Sequence, residues 1–156
     1  MDWRSVSDDI DSISLHDCDI SEYIFGEDIA LIFEDGFDVA APNPLNDTGR
    51  HKRTGRAAVL LKGGRLLSAE YPSYEDNNGD TVPAKEITQS ELPALEIEVY
   101  GIDDYENGIL MLACYDWSPD GGRTAFCRLK LSCDELLFCW NEFTDDAWFQ
   151  EKKGII

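Results

Sequence analysis

Basic residues are scarce in this sequence. Its 156 residues include 13 Lys and Arg against 32 Asp and Glu, which gives a formal net charge of -19 at pH 7. A strongly acidic surface repels nucleic-acid phosphates and anionic membranes, and it attracts basic proteins. The charge therefore predicts no nucleic-acid partner and no membrane partner. It is typical either of a protein that binds a basic partner or of an acidic surface that only keeps the protein soluble.

Long apolar runs and a targeting segment are also lacking. No apolar run approaches the roughly 18 residues that a membrane-spanning helix needs. The first residues, Met1–Asp9, are acidic and do not contain the apolar stretch of a secretory signal. We therefore expect a cytoplasmic protein.

Patterns that bind a metal or build a disulfide framework are missing as well. The five cysteines are an odd number without a C-x-x-C pair, and most lie in apolar runs, which is typical of reduced, buried thiols. A calcium-binding loop with Gly121 at its sixth position would place Cys127 where the bidentate glutamate is needed. We expect no metal site and no cofactor. The cysteines are Cys18, Cys114, Cys127, Cys133 and Cys139.

General bases for catalysis are few, since His16 and His51 are the only histidines. An extended strand through Leu15–Cys18 would place His16 and Cys18 on one face, where they would form a Cys/His dyad. The alternative is a strand histidine near a buried, inert thiol. The phosphate-loop spacing GxxxxGK[ST] is absent. The sequence therefore favours a protein that is not an enzyme.

What the sequence does contain is two-residue alternation of apolar and polar residues. Ala125–Cys133 places Cys127, Leu129 and Leu131 on one face and charged residues on the other, which predicts a strand with one buried side. With 43% hydrophobic residues, the chain has enough apolar area for one core. Further strands are predicted at 13–18, 21–25, 28–34, 57–62, 66–70, 95–100, 109–115 and 136–140.

These strands predict a mainly β fold, an antiparallel sandwich or barrel of about nine or ten strands, in a single domain covering residues 1–156. A meander is expected between residues 94 and 133, with a hairpin turn at 118–122. One or two short helical turns are expected, at Ser90–Leu92 and at Thr144–Gln150. Two long loops, residues 43–56 and 72–93, are where a site is expected, because loops of this length are often functional.

The first of these loops carries an island of positive charge. Six of the 13 basic residues lie between Arg50 and Arg65, where there is no acid. Clustered arginines suit a phosphate or an acidic peptide, so the candidate anion-binding residues are Arg50, Lys52, Arg53 and Arg56. The alternative is a loop whose charges offset the acidic field of the same protein.

An aromatic stretch near the end of the chain, Leu136–Phe143 followed by Trp148 and Phe149, allows two interpretations. Exposed, these side chains would form a recognition surface, since aromatic residues anchor many interfaces. Buried, they would complete the core. The sequence favours the core.

The segments Ser14–Glu22 and Asp28–Phe37 resemble a pattern in small acidic bacterial proteins of uncharacterised function. In these proteins, an "lHD(S/C)xI" strand precedes a "dxLxLxFexGf" hairpin. Some proteins of this general type are similar to immunity proteins, which neutralise a basic toxin by covering its site. The resemblance implies a bacterial all-β binding protein, and it transfers no functional residue.

Together, charge and resemblance favour a non-enzymatic binding protein, an immunity-type acidic partner of a basic protein. The alternative is a β-barrel that binds a small molecule or an anion, in which case the protein is a candidate enzyme. A third hypothesis is a structural subunit of an oligomer.

Overall fold

The computed structural model describes residues 2–118 and 125–150. The protein is mainly β, with 53% of the described residues in strands and 4% in helical turns, and the antiparallel sheets of these residues do not close into a barrel. The sequence therefore predicted the fold class correctly, and of its two alternatives the structure has the sandwich. The hairpin turn predicted at 118–122 falls, apart from Ser118, outside the described residues.

Seventeen strands lie in the described residues, and nine of them have four or more residues. Two short 3-10 helices, Ile10–Ser12 and Leu92–Ala94, are the helical elements of this part of the chain. The strands are β1 Ser5–Ser7, β2 Ile13–Ser14, β3 Cys18–Asp19, β4 Glu22–Phe25, β5 Ile29–Phe33, β6 Asp38–Val39, β7 Lys52–Thr54, β8 Ala57–Lys62, β9 Arg65–Tyr71, β10 Tyr74–Glu75, β11 Thr81–Val82, β12 Lys85–Glu86, β13 Ile97–Glu106, β14 Ile109–Asp116, β15 Ala125–Ser132, β16 Glu135–Trp140 and β17 Phe143–Asp146.

The largest sheet has six strands in the order β12-β9-β15-β14-β13-β3. Its centre is the predicted meander, in which β14 pairs with β13 on one side and with β15 on the other. The turn between β13 and β14 is Asn107-Gly108, where both residues have positive φ angles of 54° and 73°. Asparagine and glycine tolerate this conformation, which explains why the chain reverses there.

A five-stranded sheet, in the order β1-β16-β8-β5-β4, supplies the other large layer. Its strand β5, predicted at 28–34, is apolar on both faces and buried along its whole length. Leu31 and Phe33 belong to the main core, whereas Ala30 and Ile32 belong to a small second cluster on the opposite face.

The main core joins residues of the large sheets. Leu61 of β8, Leu112 of β14 and Leu129 of β15 belong to one cluster of packed side chains and are fully buried. Phe138 and Trp140 lie in the same cluster, with exposed fractions of 0% and 1%. For these two residues of the aromatic stretch, the core interpretation is therefore confirmed.

The four-stranded sheet β17-β7-β6-β2 corrects several boundaries. The basic loop predicted at 43–56 contains strand β7, and the helical turn predicted at 144–150 begins as strand β17. The two strands pair antiparallel, so that Asp145 faces Arg53 and Asp146 faces Lys52. Opposite charges on facing strands attract, and this long-range pairing outweighs the local preference of Thr144 and the acids for a helix start.

Short strands of two residues correct two further predictions, one for a strand and one for a loop. The strand predicted at 13–18 is two strands, β2 and β3, in different sheets, because Asp17 turns the chain with a φ of 60°. The loop predicted at 72–93 contains β10, β11 and β12. Strands of two residues are too short to show alternation, so the sequence pattern could not reveal them.

Candidate functional site

A cluster of aromatic side chains lies exposed at one end of the six-stranded sheet. Tyr100, Trp117 and Phe126 have exposed fractions of 53%, 52% and 38%, and Tyr115 lies half-buried among them. We call these four residues the aromatic face. Aromatic side chains of this size are normally buried, so a group of exposed ones is informative.

The register of the sheet explains why the four rings meet. Tyr115 of β14 lies opposite Glu98 of β13 on one side and Phe126 of β15 on the other, and directly opposed residues point to the same side of a sheet. Tyr100 stands at an irregularity of β13, where the register shifts between Val99 and Gly101. Bulges of this kind change the direction of a side chain.

Tyr115 is the centre of the aromatic face. Its ring centroid lies 5.8 Å from that of Tyr100, 5.8 Å from that of Phe126 and 6.5 Å from that of Trp117. The pairs with Tyr100 and Phe126 are edge-to-face, with interplanar angles of 90° and 73°. Edge-to-face packing is a favoured aromatic geometry, so the rings hold one another in place.

The backbone on both sides of Trp117 is fixed by a buried carboxylate. Asp116 accepts hydrogen bonds from the hydroxyl of Tyr71 at 2.7 Å and from the backbone N–H of Ser118 at 2.9 Å. Burial acts to raise the pKa of Asp116, but hydrogen bonds from Tyr71, Ser118 and Glu96 outweigh it and lower the pKa below its usual value. The carboxylate is therefore ionised at neutral pH, and it anchors the strand end that carries Trp117.

The aromatic face continues at both ends. His16 packs edge-on against Tyr100, with ring centroids 5.3 Å apart, and its Nδ1 lies 2.8 Å from the Tyr100 carbonyl oxygen. The ring of Trp148 lies 5.7 Å from that of His16. At the other end, the guanidinium of Arg128 lies 5.8 Å from the centre of the Phe126 ring, in cation-π range.

Acidic side chains lie beside the aromatic face and repel one another. Burial, and then the charges of Asp17 and Asp19, raise the pKa of Glu98, which lies opposite Tyr115. Burial and the charge of Asp35 raise the pKa of Asp19 in the same way. A cation placed here would relieve the repulsion, so the site favours a positively charged ligand.

The four predicted anion-binding residues do not converge on one point. Arg50 and Lys52 bind the same carboxylate, with an Arg50 Nη 2.7 Å from Asp146 Oδ2 and Lys52 Nζ 3.2 Å from Asp146 Oδ1. Hydrogen bonds from Arg50 and Lys52 lower the pKa of Asp146 to about 2. Arg56 pairs with Glu34, with Nε 3.1 Å from Oε2.

Among the four, Arg53 pairs with the most buried carboxylate. Its Nη1 lies 3.2 Å from Oδ2 of the buried Asp38 and 3.4 Å from the sulfur of Cys18, and its Nε donates to the Asp35 carbonyl oxygen at 3.0 Å. An anion at any of these four positions would compete with a carboxylate of the protein itself. The anion-binding assignment stays a prediction, and the ion pairs oppose it.

The Cys/His dyad considered for Leu15–Cys18 does not form, and the alternative of a buried, inert thiol describes Cys18. His16 directs Nδ1 at Tyr100 and Nε2 at Asp17, which lies 3.3 Å away, whereas the Cys18 thiol donates to the His16 carbonyl oxygen at 3.5 Å. Burial raises the pKa of Cys18 to about 12. Cys18 is therefore a protonated thiol at neutral pH, which is a poor nucleophile.

The described residues contain no group of three or more His, Cys, Asp or Glu side chains that would hold a metal ion. Within the same ranges, no helix has the length and apolar character needed to cross a membrane.

Sequence reasoning missed the aromatic face, although one signal was present. The alternation in Ala125–Cys133 places Phe126 on the same side as Arg128, away from the core. An aromatic residue on the polar side of a strand indicates a ring that is exposed to solvent. The convergence with Tyr100 and Tyr115 depends on strand register, which the sequence does not specify.

No protein-family model, curated protein or solved structure matches this chain.

Proposed function

We propose that this chain is a non-enzymatic binding protein, an immunity-type acidic partner that docks a basic protein on its aromatic face. The observation that carries the proposal is the contiguous cluster of Tyr100, Tyr115, Trp117 and Phe126, which is exposed and flanked by acids.

The composition and rigidity of the aromatic face support this function. Tyrosine and tryptophan dominate the residues that contribute most to protein–protein binding. The rings pack on Tyr115, and Asp116 holds the backbone beside Trp117, so little side-chain freedom is lost on binding.

The charge of -19 supports a basic partner. Long-range attraction raises the association rate between oppositely charged proteins, and salt reduces it. The repulsion at Glu98 and Asp19 adds a local reason, since a lysine or arginine of the partner would relieve it.

Capture of partners from native cell lysate tests the proposal, with wild-type protein compared with a Tyr100→Ser/Trp117→Ser variant. We expect wild type to retain one basic protein in a stoichiometric amount at low salt, and we expect the variant to lose it. The control is Tyr74→Ser, which changes an exposed tyrosine outside the aromatic face.

The captured protein is then purified, and its association rate with wild type is measured across a range of salt concentrations. A rate that falls as salt rises supports the proposal. A retained protein that binds the double variant as well as wild type, or an association rate that is unchanged by salt, would contradict it.

A further inference from the structure

Strand β13 has an open edge next to the aromatic face. On its inner side β13 pairs with β14 as far as Glu106, whereas on its outer side it pairs with β3 only through Glu98 and Val99. Among the described residues, the segment Gly101–Glu106 has no strand neighbour on that outer side. An open edge presents backbone groups that another chain can pair with.

A groove runs along this open edge. It has a volume of about 410 Å³, and β2, the last strand of the four-stranded sheet, lines its far wall. The groove thus lies between the edges of two sheets. Its apolar lining includes Ile10, Ile13, Ile102 and Tyr105.

The rim of the groove is acidic on both sides. Asp11 lines one wall and Asp104 lines the other, and both carboxylates are exposed. Asp103 and Glu106 are exposed on the same edge strand. Charges on an edge strand discourage pairing with a second copy of the same chain, because like charges would face each other.

We propose that a basic, extended segment of the partner protein adds a strand to the open edge of β13 at Gly101–Glu106 and lies in this groove. The inference rests on the proposed function, because it names the part of the basic partner that binds and where it binds. In strand addition, main-chain hydrogen bonds hold the segment and alternate side chains give specificity.

Successive side chains of an added strand point to opposite faces, and the groove offers each face a different surface, an apolar floor and an acidic rim. Side chains on one face of the segment contact the apolar floor at Ile10, Ile102 and Tyr105, and those on the other face meet the acidic rim at Asp11 and Asp104. A segment in which apolar and basic residues alternate therefore fits best.

The test uses a peptide of alternating lysine and valine, ten residues long, with backbone amide exchange and chemical shifts of the protein measured by NMR. We expect slower exchange at those amides of Gly101–Glu106 that point outward, and shift changes at Ile13 and Ser14. A peptide N-methylated at both its valines and its lysines keeps the charge and side chains but loses all backbone hydrogen-bond donors, and we expect it to bind at least about tenfold more weakly.

Charge at the rim is tested with the variant Asp11→Asn/Asp104→Asn, for which we expect about tenfold weaker binding of the same peptide. The matched control is Asp47→Asn/Asp80→Asn, which removes the same charge from exposed positions that do not line the groove. A peptide that does not bind, that binds equally after N-methylation, or that leaves exchange at Gly101–Glu106 unchanged overturns the inference.

The two proposals fail in different ways. If a basic protein is captured through the aromatic face but the lysine–valine peptide does not protect Gly101–Glu106, strand addition is wrong and the proposed function stands. If wild type captures no basic protein, the proposed function is wrong, whatever the peptide does.

Discussion

Arg50 and Asp146 lie 96 residues apart in sequence and make a two-point contact, with Arg50 Nε 3.1 Å from Oδ1 and its second nitrogen 2.7 Å from Oδ2. The parallel geometry of two N–H···O bonds makes such a pair directional. Because Lys52 shares the same carboxylate, Asp146 offsets one of the two positive charges that Arg50 and Lys52 carry.

The first prediction concerns acid stability. The pKa of Asp146 is lowered to about 2, so the native state holds the proton of this carboxyl less tightly than the unfolded chain does. The stabilising contribution of Asp146 is therefore complete above the unfolded pKa of about 4 and is lost as pH falls through about 2. We expect Asp146→Asn to be less stable than wild type at pH 6 and to differ little at pH 2.

Urea unfolding of both proteins across this pH range measures the difference. The matched control is Asp47→Asn, which removes the same charge from an exposed position outside β7 and β17. A difference between wild type and Asp146→Asn that stays constant from pH 6 to pH 2 would show that the ion pairs contribute nothing to stability.

The second prediction separates the two interpretations of the basic island. Asp146→Asn releases Arg50 and Lys52 from their carboxylate, so we expect inorganic phosphate to raise the melting temperature of this variant. Wild type should show no such shift, because Asp146 occupies both side chains. An equal shift in wild type would instead support the anion-binding assignment of Arg50, Lys52, Arg53 and Arg56.

The third prediction concerns the pair of Arg53 with the buried Asp38. Asp38 has an exposed fraction of 0%, and Arg53 is its charged partner. Arg53→Met would leave a buried carboxylate without that partner, and we expect it to lower the free energy of unfolding at pH 7 by about 3 kcal/mol. The double variant Asp38→Asn/Arg53→Met should recover part of this loss.

The stability that Asp38 contributes depends on pH in the opposite direction from the stability that Asp146 contributes. Burial raises the pKa of Asp38 even though Arg53 lowers it, so the native state holds this proton more tightly than the unfolded chain. Stability contributed by protonated Asp38 is complete below the unfolded pKa of about 4 and is lost as pH rises through the higher native pKa. In Arg53→Met the loss relative to wild type should therefore shrink on acidification, as urea unfolding at pH 4 and pH 7 would measure. A constant loss would argue against an ionised Asp38.

The fourth prediction concerns thiol chemistry. All five cysteines are free and buried, and burial raises the pKa of Cys18 to about 12 and that of Cys139 to about 11. We expect a thiol reagent such as DTNB to react slowly with the native protein at pH 8 and rapidly with all five thiols in denaturant. Cys133, with an exposed fraction of 9%, should account for most of the slow native reaction, and Cys133→Ser should remove it. Rapid native labelling that survives Cys133→Ser would contradict the buried positions.

Local periodicity was sufficient to predict β15 and β5, whereas β13, predicted at 95–100, extends to Glu106. Alternation in β15 and the apolar composition of β5 are properties of a few consecutive residues, and both strands appear close to their predicted bounds. The Asn107-Gly108 turn was predictable for the same reason, because asparagine and glycine are the residue types that tolerate the positive φ angles of such a turn.

Strand β7 and the aromatic face could not be predicted, because both depend on residues that lie far apart in the chain. Strand β7 forms from a basic segment because the acids that stabilise it lie in β17, some 90 residues later. The aromatic face requires the register of three strands and a bulge at Tyr100. No short window of sequence contains either relationship.

The ion pairs of the four basic residues in the segment 50–56 affect how a partner protein is attracted from a distance. Arg50, Lys52, Arg53 and Arg56 each lie beside a carboxylate, and three carboxylates offset most of their four positive charges within a few ångströms. Beyond a Debye length of about 8 Å in physiological salt, such local pairs contribute little. An approaching basic protein is therefore not strongly repelled at this basic segment, so the attraction that comes from the net charge of -19 acts on this side of the molecule as well.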